Sequence, residues 1–432
     1  MSNQLADQLA LTLRDHQSAG SWCVAFSGGL DSTVLLHLLV GFCRKHGGPE
    51  LRAIHIHHGL QEAAEAWPEH CRTVCGLLDV PLQVIRVQVP EVASIEQAAR
   101  DARYVEFARQ LKAGETLMLA QHQDDQSETL LLRLLRGSGV AGLQGMPWSR
   151  PLGAGQLLRP LLGISRAQLE AYAHKHGLSW IEDPSNSSDT YDRNLLRNRI
   201  MPGLRQRWPA LNTVLARTAA HMQQAQGLLE ELAAIDLRQA ATQALPDWLP
   251  LEALSLDVID QLSIARQTNL LRYWLRDKTA MPNTAHWAGW QALLQAGANA
   301  QPLWQLQDGA LVRHGRRLYW LPLAWQKTPP DPGLHQVRDG EYLLPDNGLL
   351  QIAGLNTAPL RIGYRQGGEQ MELPGRGRRD LKRLLQERQI PAFLRGRLPL
   401  LFAGEQLVAV AGLPELRPAE YMKLKLDWTF SS

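Results

Sequence analysis

The fold is decided by the stretch Trp22-Cys-Val-Ala-Phe26, which runs directly into Ser27-Gly28-Gly29-Leu30-Asp31-Ser32. An apolar run typical of a strand meets a glycine turn there, and a helical pattern from about Asp31 to His46 follows. This order gathers unpaired backbone N–H groups at the positive end of a helix dipole, and glycines let an anion approach the main chain. Residues 27–32, the phosphate loop, are therefore predicted to bind phosphate. The alternative is a plain turn in which Asp31 or Ser32 caps the helix.

Outward from this loop, residues 22 to about 136 alternate short apolar runs with longer helical patterns. This alternation predicts a parallel sheet covered by helices, that is, a Rossmann-like α/β domain. A helix is expected over Ser94–Lys112, with Ser94 and Gln97 as a capping box. The four predicted strands are Trp22–Phe26, Leu51–Ile56, Leu82–Val89 and Thr116–Gln121.

The length of 432 residues predicts two or three domains. Three prolines in four positions mark a Pro-rich linker near residue 330, because such a run sustains neither a helix nor an inner strand. After the linker, strands are expected at Leu360–Tyr364 and Gln406–Val410. The predicted divisions are a parallel-sheet domain at 1–216, a mainly helical middle domain at 217–325, the linker at 326–333 and a small α/β domain at 334–432.

The composition is that of an ordinary globular chain, with 45% hydrophobic and 20% charged residues. It excludes the disordered, collagen-like and coiled-coil classes. No apolar run is long enough for a membrane span and the N-terminus shows no export signal, so we expect a cytoplasmic protein. The four cysteines contain no CxxC pair, which argues against a disulfide framework.

The hexapeptide SGGLDS at 27–32 resembles the SGGxDS signature of the PP-loop ATP pyrophosphatases. This resemblance implies that the loop binds the pyrophosphate of ATP and that AMP is transferred to a carbonyl oxygen. The GxxxxGK(S/T) pattern of kinase-like P-loops does not occur at this loop, which argues against transfer of the γ-phosphate. Asp31 becomes a candidate ligand for Mg²⁺. The expected ATP-binding residues of the loop are Ser27, Gly28, Gly29, Leu30, Asp31 and Ser32.

Polar residues follow the second predicted strand, in the segment His55-Ile-His-His58-Gly-Leu. The carboxyl ends of parallel strands form the ligand crevice of such sheets, so His55 and His58 are expected to face the adenosine of ATP. A purely structural role is the alternative. Arg100 and Arg103 lie one turn apart on a later helix, where they could neutralise phosphate or form surface ion pairs with nearby glutamates.

Three acidic residues, Asp124, Asp125 and Glu128, open the helix that follows the fourth predicted strand. Asp124 and Glu128 are four positions apart and so lie on one helix face. Acidic residues also suit a helix N-terminus for dipole reasons alone. In a strand-to-helix crevice they could instead hold Mg²⁺ or an ammonium group, and accept a proton from an amine.

The net charge is only +3, but the excess of positive charge is concentrated in two basic islands. Residues 133–217 hold twelve basic and five acidic residues, and residues 361–397 hold ten and four. A solvated surface is the plain explanation, but contacts to nucleic-acid phosphates are expected beside a ligand crevice. The candidate residues are Arg193 and Arg197 in the first island, and Arg376, Arg378, Arg379 and Lys382 in the second.

Further motifs resemble the tRNA(Ile)-lysidine synthetase family of the PP-loop superfamily. They occur in order over residues 22–202 and again over 361–413, whereas the helical middle matches no motif. The motifs are HHGL at 57–60, ARxxRY at 99–104, HQDDQSET at 122–129, RLLRGSG at 133–139, RPLL at 159–162, WIEDPSN at 180–186 and RNLLR at 193–197.

The resemblance implies a two-step ligation. ATP adenylates the ring carbonyl oxygen of the wobble cytidine in a tRNA(Ile) with a CAU anticodon, releasing pyrophosphate. The ε-amine of free L-lysine then displaces AMP and gives lysidine. Lysine must first lose a proton, since its reference pKa is about 10.4, so a carboxylate base is expected.

The same resemblance implies roles for individual residues. Asp125 or Glu128 is expected to be the base, and Asp31 and Arg103 are the other candidate catalytic residues. Asp124, Asp125 and Glu128 are expected to bind lysine, with Mg²⁺ accompanying ATP. Both basic islands and the helical middle domain at 217–325 are expected to bind tRNA, the second island at the acceptor stem.

Two other functions compete with this one. A tRNA thiolase would also adenylate a pyrimidine carbonyl, but that chemistry uses a cysteine pair or an iron–sulfur cluster, and no CxxC is present. A non-catalytic tRNA-binding protein would not need an intact phosphate loop and acidic cluster. The sequence leaves open the oligomeric state, the histidine that contacts adenine, the base among the carboxylates and the selection of lysine and tRNA.

Overall fold

The computed structural model describes residues 2–16, 20–59, 65–88, 95–244, 246–297, 300–354 and 360–430. The chain forms two compact units, Met1–Gly227 and Leu228–Ser432. The division between these units falls inside one long helix, Leu211–Ala240, and the domain boundary expected at residue 216 stays a prediction.

A six-stranded sheet forms the centre of the first unit, in the order β3-β2-β1-β4-β6-β5. The four predicted strands are confirmed as β1 to β4, although β3 ends at Arg86 and Val89 lies outside the described residues. These four strands and β6 are parallel, and β5 is antiparallel to β6. The strands are β1 Ser21–Ala25, β2 Glu50–His57, β3 Leu82–Arg86, β4 Glu115–Met118, β5 Ser149–Leu152 and β6 Gly155–Leu158.

Helices cover this sheet because their apolar stripes are buried against it. In the helix after β1, the side chains of Val34, Leu35 and Leu39 are fully buried. That helix ends at Gly47, whose left-handed φ of 65° lets its N–H reach the Cys43 carbonyl. The helices are α1 Ser2–Leu13, α2 Leu30–His46, α3 Trp67–Leu78, α4 Ile95–Gln110, α5 Gln123–Leu135, α6 Val140–Leu143, α7 Arg166–Lys175, α8 Asp192–Leu195, α9 Met201–Arg207 and α10 Leu211–Ala240, with a π-helical turn at Leu196–Ile200.

The predicted helix Ser94–Lys112 corresponds to α4. The capping box proposed for it lies outside the described residues, since Ser94 is not among them and the Gln97 side chain is not described.

The second unit contains a sheet that the sequence did not predict. Five antiparallel strands lie in the order β7-β8-β11-β10-β9, in addition to the helices that were expected in the middle region. In β11 the successive side chains Leu318, Tyr319, Trp320 and Leu321 are all buried, so no alternation of apolar and polar residues marks the strand. The strands are β7 Ala241–Thr242, β8 Ala253–Ser255, β9 Leu303–Gln305, β10 Gly309–His314 and β11 Arg317–Pro322, and the helices are α11 Leu256–Ile259, α12 Ile264–Leu275, α13 Ala288–Gln295 and α14 Leu323–Gln326.

The C-terminal part of this unit is rich in strands. The predicted strands near 360 and 406 are confirmed as β14 and β18, and the helix expected near Asp380 begins with Asp380 as its N-cap. The strands are β12 Gly340–Leu344, β13 Gly348–Ala353, β14 Arg361–Gly363, β15 Gln370–Leu373, β16 Gly377–Asp380, β17 Leu400–Ala403, β18 Gln406–Val410 and β19 Lys425–Thr429, and the helices are α15 Leu381–Glu387 and α16 Ala392–Arg395.

Residues 326–333 lie within the second compact unit. One hydrophobic core joins Tyr319 and Trp325, before this segment, to Leu350 and Val408, after it. Arg397 also donates to the carbonyl of Lys327 at 2.5 Å. The division into a middle and a C-terminal domain therefore stays a prediction.

None of the helices within the described ranges combines the length and apolar character that crossing a bilayer requires.

Candidate active site

The phosphate loop has a conformation that only glycine accommodates at Gly28. Its φ is +84°, and a Cβ there would lie 2.9 Å from Ile181 Cδ1 and 3.0 Å from Cys71 Sγ. Ser32 Oγ, from the first turn of α2, donates to the Gly29 carbonyl at 3.0 Å and lies 3.0 Å from Ser27 Oγ. The loop is thus closed by its own hydroxyl groups at the N-terminus of α2, where a phosphate group is stabilised by the helix dipole.

A distant segment packs against this loop. Ile181 N–H donates to the Gly28 carbonyl at 2.9 Å, and Gly29 and Ile181 form an isolated parallel bridge. The motif at 180–186 therefore supports the back of the loop.

Asp31 ends one side of the phosphate loop with a carboxylate whose two oxygens differ. Its Oδ2 accepts from Arg166 at 3.0 Å, whereas its Oδ1 is buried and has no hydrogen-bond partner among the described residues. Within the described part of the chain, no group of three His, Cys, Asp or Glu side chains could hold a metal by itself. Mg²⁺ beside a nucleotide is commonly held by one or two carboxylates and the phosphates, so a single orphaned carboxylate oxygen fits the magnesium ion of Mg-ATP.

The two predicted adenosine-facing histidines are both at the end of β2, but in different surroundings. His55 is buried, and its Nδ1 lies 2.9 Å from the Phe26 carbonyl, just before the phosphate loop. His58 accepts a hydrogen bond from Arg103 Nε at 3.2 Å. Burial, together with the positive charge of Arg103, lowers the pKa of His58 to about 4. Burial also lowers the pKa of His55, so both rings are neutral at pH 7.

Asp125 and Glu128 form a buried pair of carboxylates on α5. Glu128 is 1% exposed, and both residues are held by the same two arginines. Arg193 donates to Asp125 Oδ1 at 3.0 Å and to Glu128 Oε2 at 2.9 Å. Arg197 donates to Asp125 Oδ1 at 2.8 Å and to both oxygens of Glu128 at 2.7 and 2.8 Å. Two positive and two negative charges thus balance in one cluster, here named the carboxylate–arginine cluster.

Asp124 has different partners from this pair. Its Oδ2 accepts from the backbone N–H of Arg166 at 2.9 Å, and its Oδ1 accepts from Arg205 at 2.5 Å. Asp124 is therefore hydrogen-bonded to α7 and α9. Its expected contact with lysine stays a prediction.

His122 connects the phosphate loop to the carboxylate pair, a position that the sequence analysis did not identify. The ring is 2% exposed, and its Nε2 lies 3.6 Å from Asp31 Oδ2 and 3.5 Å from Asp125 Oδ2. Although burial acts to lower it, the pKa of His122 is raised by the carboxylates of Asp31, Asp125 and Asp124. Conversely, burial acts to raise the pKa of Asp125, but the charges of His122, Arg193 and Arg197 hold it below its usual range. The signal in the sequence was a histidine two positions before the acidic run, just after a strand.

The predicted tRNA-binding residues fall into two groups. Arg193 and Arg197 direct their side chains to Asp125 and Glu128, so their expected contact with tRNA stays a prediction. In the second unit, Arg376 pairs with Glu387 at 3.1 Å. The structure describes no carboxylate within 4 Å of the other three basic side chains of that group, which are exposed: Arg378, Arg379 and Lys382.

A phosphate loop that follows β1 of a parallel sheet, with carboxylates at a neighbouring strand end, is the arrangement of PP-loop nucleotide-binding proteins. Residues 1–204 match the family model described as PP-loop domain. Residues 254–319 match the TilS substrate binding domain, and residues 360–418 match the TilS substrate C-terminal domain.

Curated relatives give the particular family. The tRNA(Ile)-lysidine synthase of Pseudomonas aeruginosa is 53% identical over 98% of this chain and 97% of its own length. That of Pseudomonas putida is 55% identical over 95% and 96%. The chain belongs to the tRNA(Ile)-lysidine synthase family. Among solved structures, the U34-tRNA thiolase NcsA from Methanococcus maripaludis shares 16% identity at a TM-score of 0.44, over 51% of this chain and 78% of that one.

Proposed function

We propose that the protein ligates L-lysine to the wobble cytidine of a tRNA(Ile) with a CAU anticodon, in the cytoplasm, forming lysidine, AMP and pyrophosphate. The observation that carries the proposal is the connection between the phosphate loop and the carboxylate–arginine cluster through His122. Such a connection suits an enzyme that activates a substrate with ATP and then delivers an amine to it.

The first step uses the phosphate loop. The cytidine carbonyl oxygen attacks the α-phosphorus of ATP, and the bond to pyrophosphate breaks. The N–H groups at the start of α2 stabilise the negative charge on the departing pyrophosphate. Asp31 would hold the Mg²⁺ of Mg-ATP, which supplies further neutralisation of phosphate charge. Neutral His58, held by Arg103, lies at the strand end where the nucleoside of ATP is expected.

The second step uses Asp125 and Glu128. A carboxylate accepts about four hydrogen bonds, and the described donors supply three to each: the cluster arginines to both, and the backbone N–H of His122 to Asp125 Oδ2 at 3.1 Å. The remaining position on Glu128 therefore suits the ammonium group of lysine, whereas that on Asp125 Oδ2 faces the His122 ring at 3.5 Å. One carboxylate accepts a proton from it, the free amine attacks the activated ring carbon, and AMP leaves with its oxygen.

The cysteines argue against thiolation. Burial raises the pKa of Cys23 and of Cys71 to about 12, and that of Cys75 to about 11. A thiol with such a pKa is a poor nucleophile at neutral pH.

The experiment that tests the proposal is pyrophosphate release from ATP, with tRNA and lysine each added or omitted. We expect release to require tRNA, and lysidine to appear in the tRNA only when lysine is also present. Pyrophosphate release at the same rate with and without tRNA would contradict the proposal. Asp192→Asn, which removes an exposed carboxylate that pairs with Arg136 at the surface, is the matched control and should leave both products unchanged.

A further inference from the structure

A pocket in the first unit is lined by arginines. Its volume is about 400 Å³, and its lining includes no residue of the phosphate loop or of the carboxylate–arginine cluster. We name it the arginine pocket. The lining residues that matter here are Arg100, Asp101, Tyr104, Arg133, Arg150 and Arg159.

Positive charge predominates in this pocket. Four guanidinium groups face one carboxylate, that of Asp101. Among the residues that the structure describes, no carboxylate oxygen lies within 4 Å of any of the four guanidinium groups. Arg159 is only 3% exposed, and its hydrogen-bond partners are neutral groups: the Gln121 side chain, the Pro147 carbonyl and the Tyr104 hydroxyl. A buried positive charge without a negative partner is costly, so the pocket is built for an anion.

The aromatic ring in the pocket supports the same conclusion. The guanidinium carbons of Arg100 and Arg150 lie 5.2 and 5.0 Å from the centre of the Tyr104 ring. Although burial acts to raise it, the pKa of Tyr104 is lowered by the charges of Arg100, Arg159 and Arg150. Aromatic rings and guanidinium groups are surfaces on which proteins receive the unstacked bases of single-stranded RNA loops.

Met146, another residue that lines the pocket, is hydrogen-bonded to the start of α5. Gln126, next to Asp125, donates to the Met146 carbonyl at 3.0 Å and accepts from the Met146 N–H at 2.6 Å. Gln121, which precedes His122, accepts from Arg159. The pocket is therefore adjacent in structure to the residues that are proposed to act on the reacting nucleotide.

Resting on the proposed function, we infer that the arginine pocket binds a phosphodiester group in the anticodon arm of the tRNA, beside the nucleotide that reacts. ATP is the other source of phosphate. The phosphate loop follows β1, whereas Arg150 is on β5, three strand spacings or about 14 Å away across the sheet. A phosphate-binding site at that distance from the phosphate loop suits a ligand longer than ATP, such as a polynucleotide.

The test compares Arg100→Gln, Arg150→Gln and the double variant with wild type. Both side chains are at least partly exposed, so the fold should tolerate the changes. Arg109→Gln is the matched control, because Arg109 is an exposed arginine on the same helix that pairs with Glu106. The probe is an RNA hairpin that carries the anticodon arm alone, titrated at several salt concentrations, with the KM for ATP measured in parallel.

We expect the double variant to bind the hairpin at least about tenfold more weakly, while Arg109→Gln binds it like wild type. The slope of log K against log salt should fall by about 0.7 for each phosphate that the variant no longer neutralises. The KM for ATP should stay within about twofold of wild type. Unchanged hairpin affinity and slope would overturn the inference, as would a selective rise in the KM for ATP. If wild-type pyrophosphate release ignores tRNA, the proposed function itself fails; if release requires tRNA but the variants match wild type, only this inference fails.

Discussion

Replacing Arg197 with methionine tests how the carboxylate–arginine cluster is held together. Arg197 supplies three charge-assisted hydrogen bonds, and Glu128, at 1% exposure, has little access to water. Breaking a buried ion pair by removing one partner costs about 3–5 kcal/mol. In the Arg197→Met variant Arg193 still donates to Glu128 at 2.9 Å, and the Arg197 side chain of the wild type is 32% exposed. We therefore expect a loss of stability at the low end of this range, about 3 kcal/mol.

The assay is native-state hydrogen exchange of the amides in α5. A loss of about 3 kcal/mol makes exchange about a hundredfold faster. The matched control is Arg199→Met, since Arg199 pairs at the surface with Asp189 and should cost less than about 1 kcal/mol. In a Glu128→Gln background the cost of Arg197→Met should shrink, because the buried charge is gone. Equal exchange rates in Arg197→Met and Arg199→Met would refute the idea that Arg197 stabilises the cluster.

Three other outcomes are expected. Gly28→Ala should raise the KM for ATP at least tenfold and lower the free energy of unfolding by more than about 1–2 kcal/mol, because a left-handed φ penalises any Cβ. The control is Gly76→Ala, which should change neither, since no described atom outside the adjacent residues and the local helix backbone lies within 4 Å of the new Cβ. The pKa of His122 is raised in the folded protein, so the stability that its protonation contributes is present below its ordinary pKa of about 6.5 and is lost as pH rises through the folded pKa. His122→Gln should therefore lower the Tm measured by calorimetry more at about pH 6 than at about pH 9. Equal losses of Tm at the two pH values would contradict this. Arg378→Gln combined with Arg379→Gln should raise the KM for tRNA without changing that for ATP, whereas Lys425→Gln should change neither.

The sequence predicted the parts of the fold that depend on local order. The strand, glycine turn and helix of the phosphate loop are contiguous, so their pattern was sufficient to place β1 and α2. Helix α5 and its acidic start were found for the same reason. The strand β11 was missed because it is buried on both faces, which removes the period of two that marks a strand.

The site itself could be predicted only in part. Arg193 and Arg197 were interpreted as phosphate ligands because their positive charge was visible, but the carboxylates that pair with them lie 65 to 72 positions earlier in the chain. No local pattern reports a contact over that separation. The bridging position of His122 also depends on the packing of two separate strand ends, β1 and β4. Composition and spacing therefore indicated the candidate reacting groups, whereas tertiary contacts decided their partners.

Asp125 and Glu128 are proposed to serve the second chemical step and not the first. The most direct measurement is mass spectrometry of the tRNA product, together with pyrophosphate release, for Asp125→Asn and Glu128→Gln. We expect both variants to release pyrophosphate when tRNA is present, and at least one of them to form almost no lysidine. Lysidine formation at the wild-type rate in both variants would contradict the assignment.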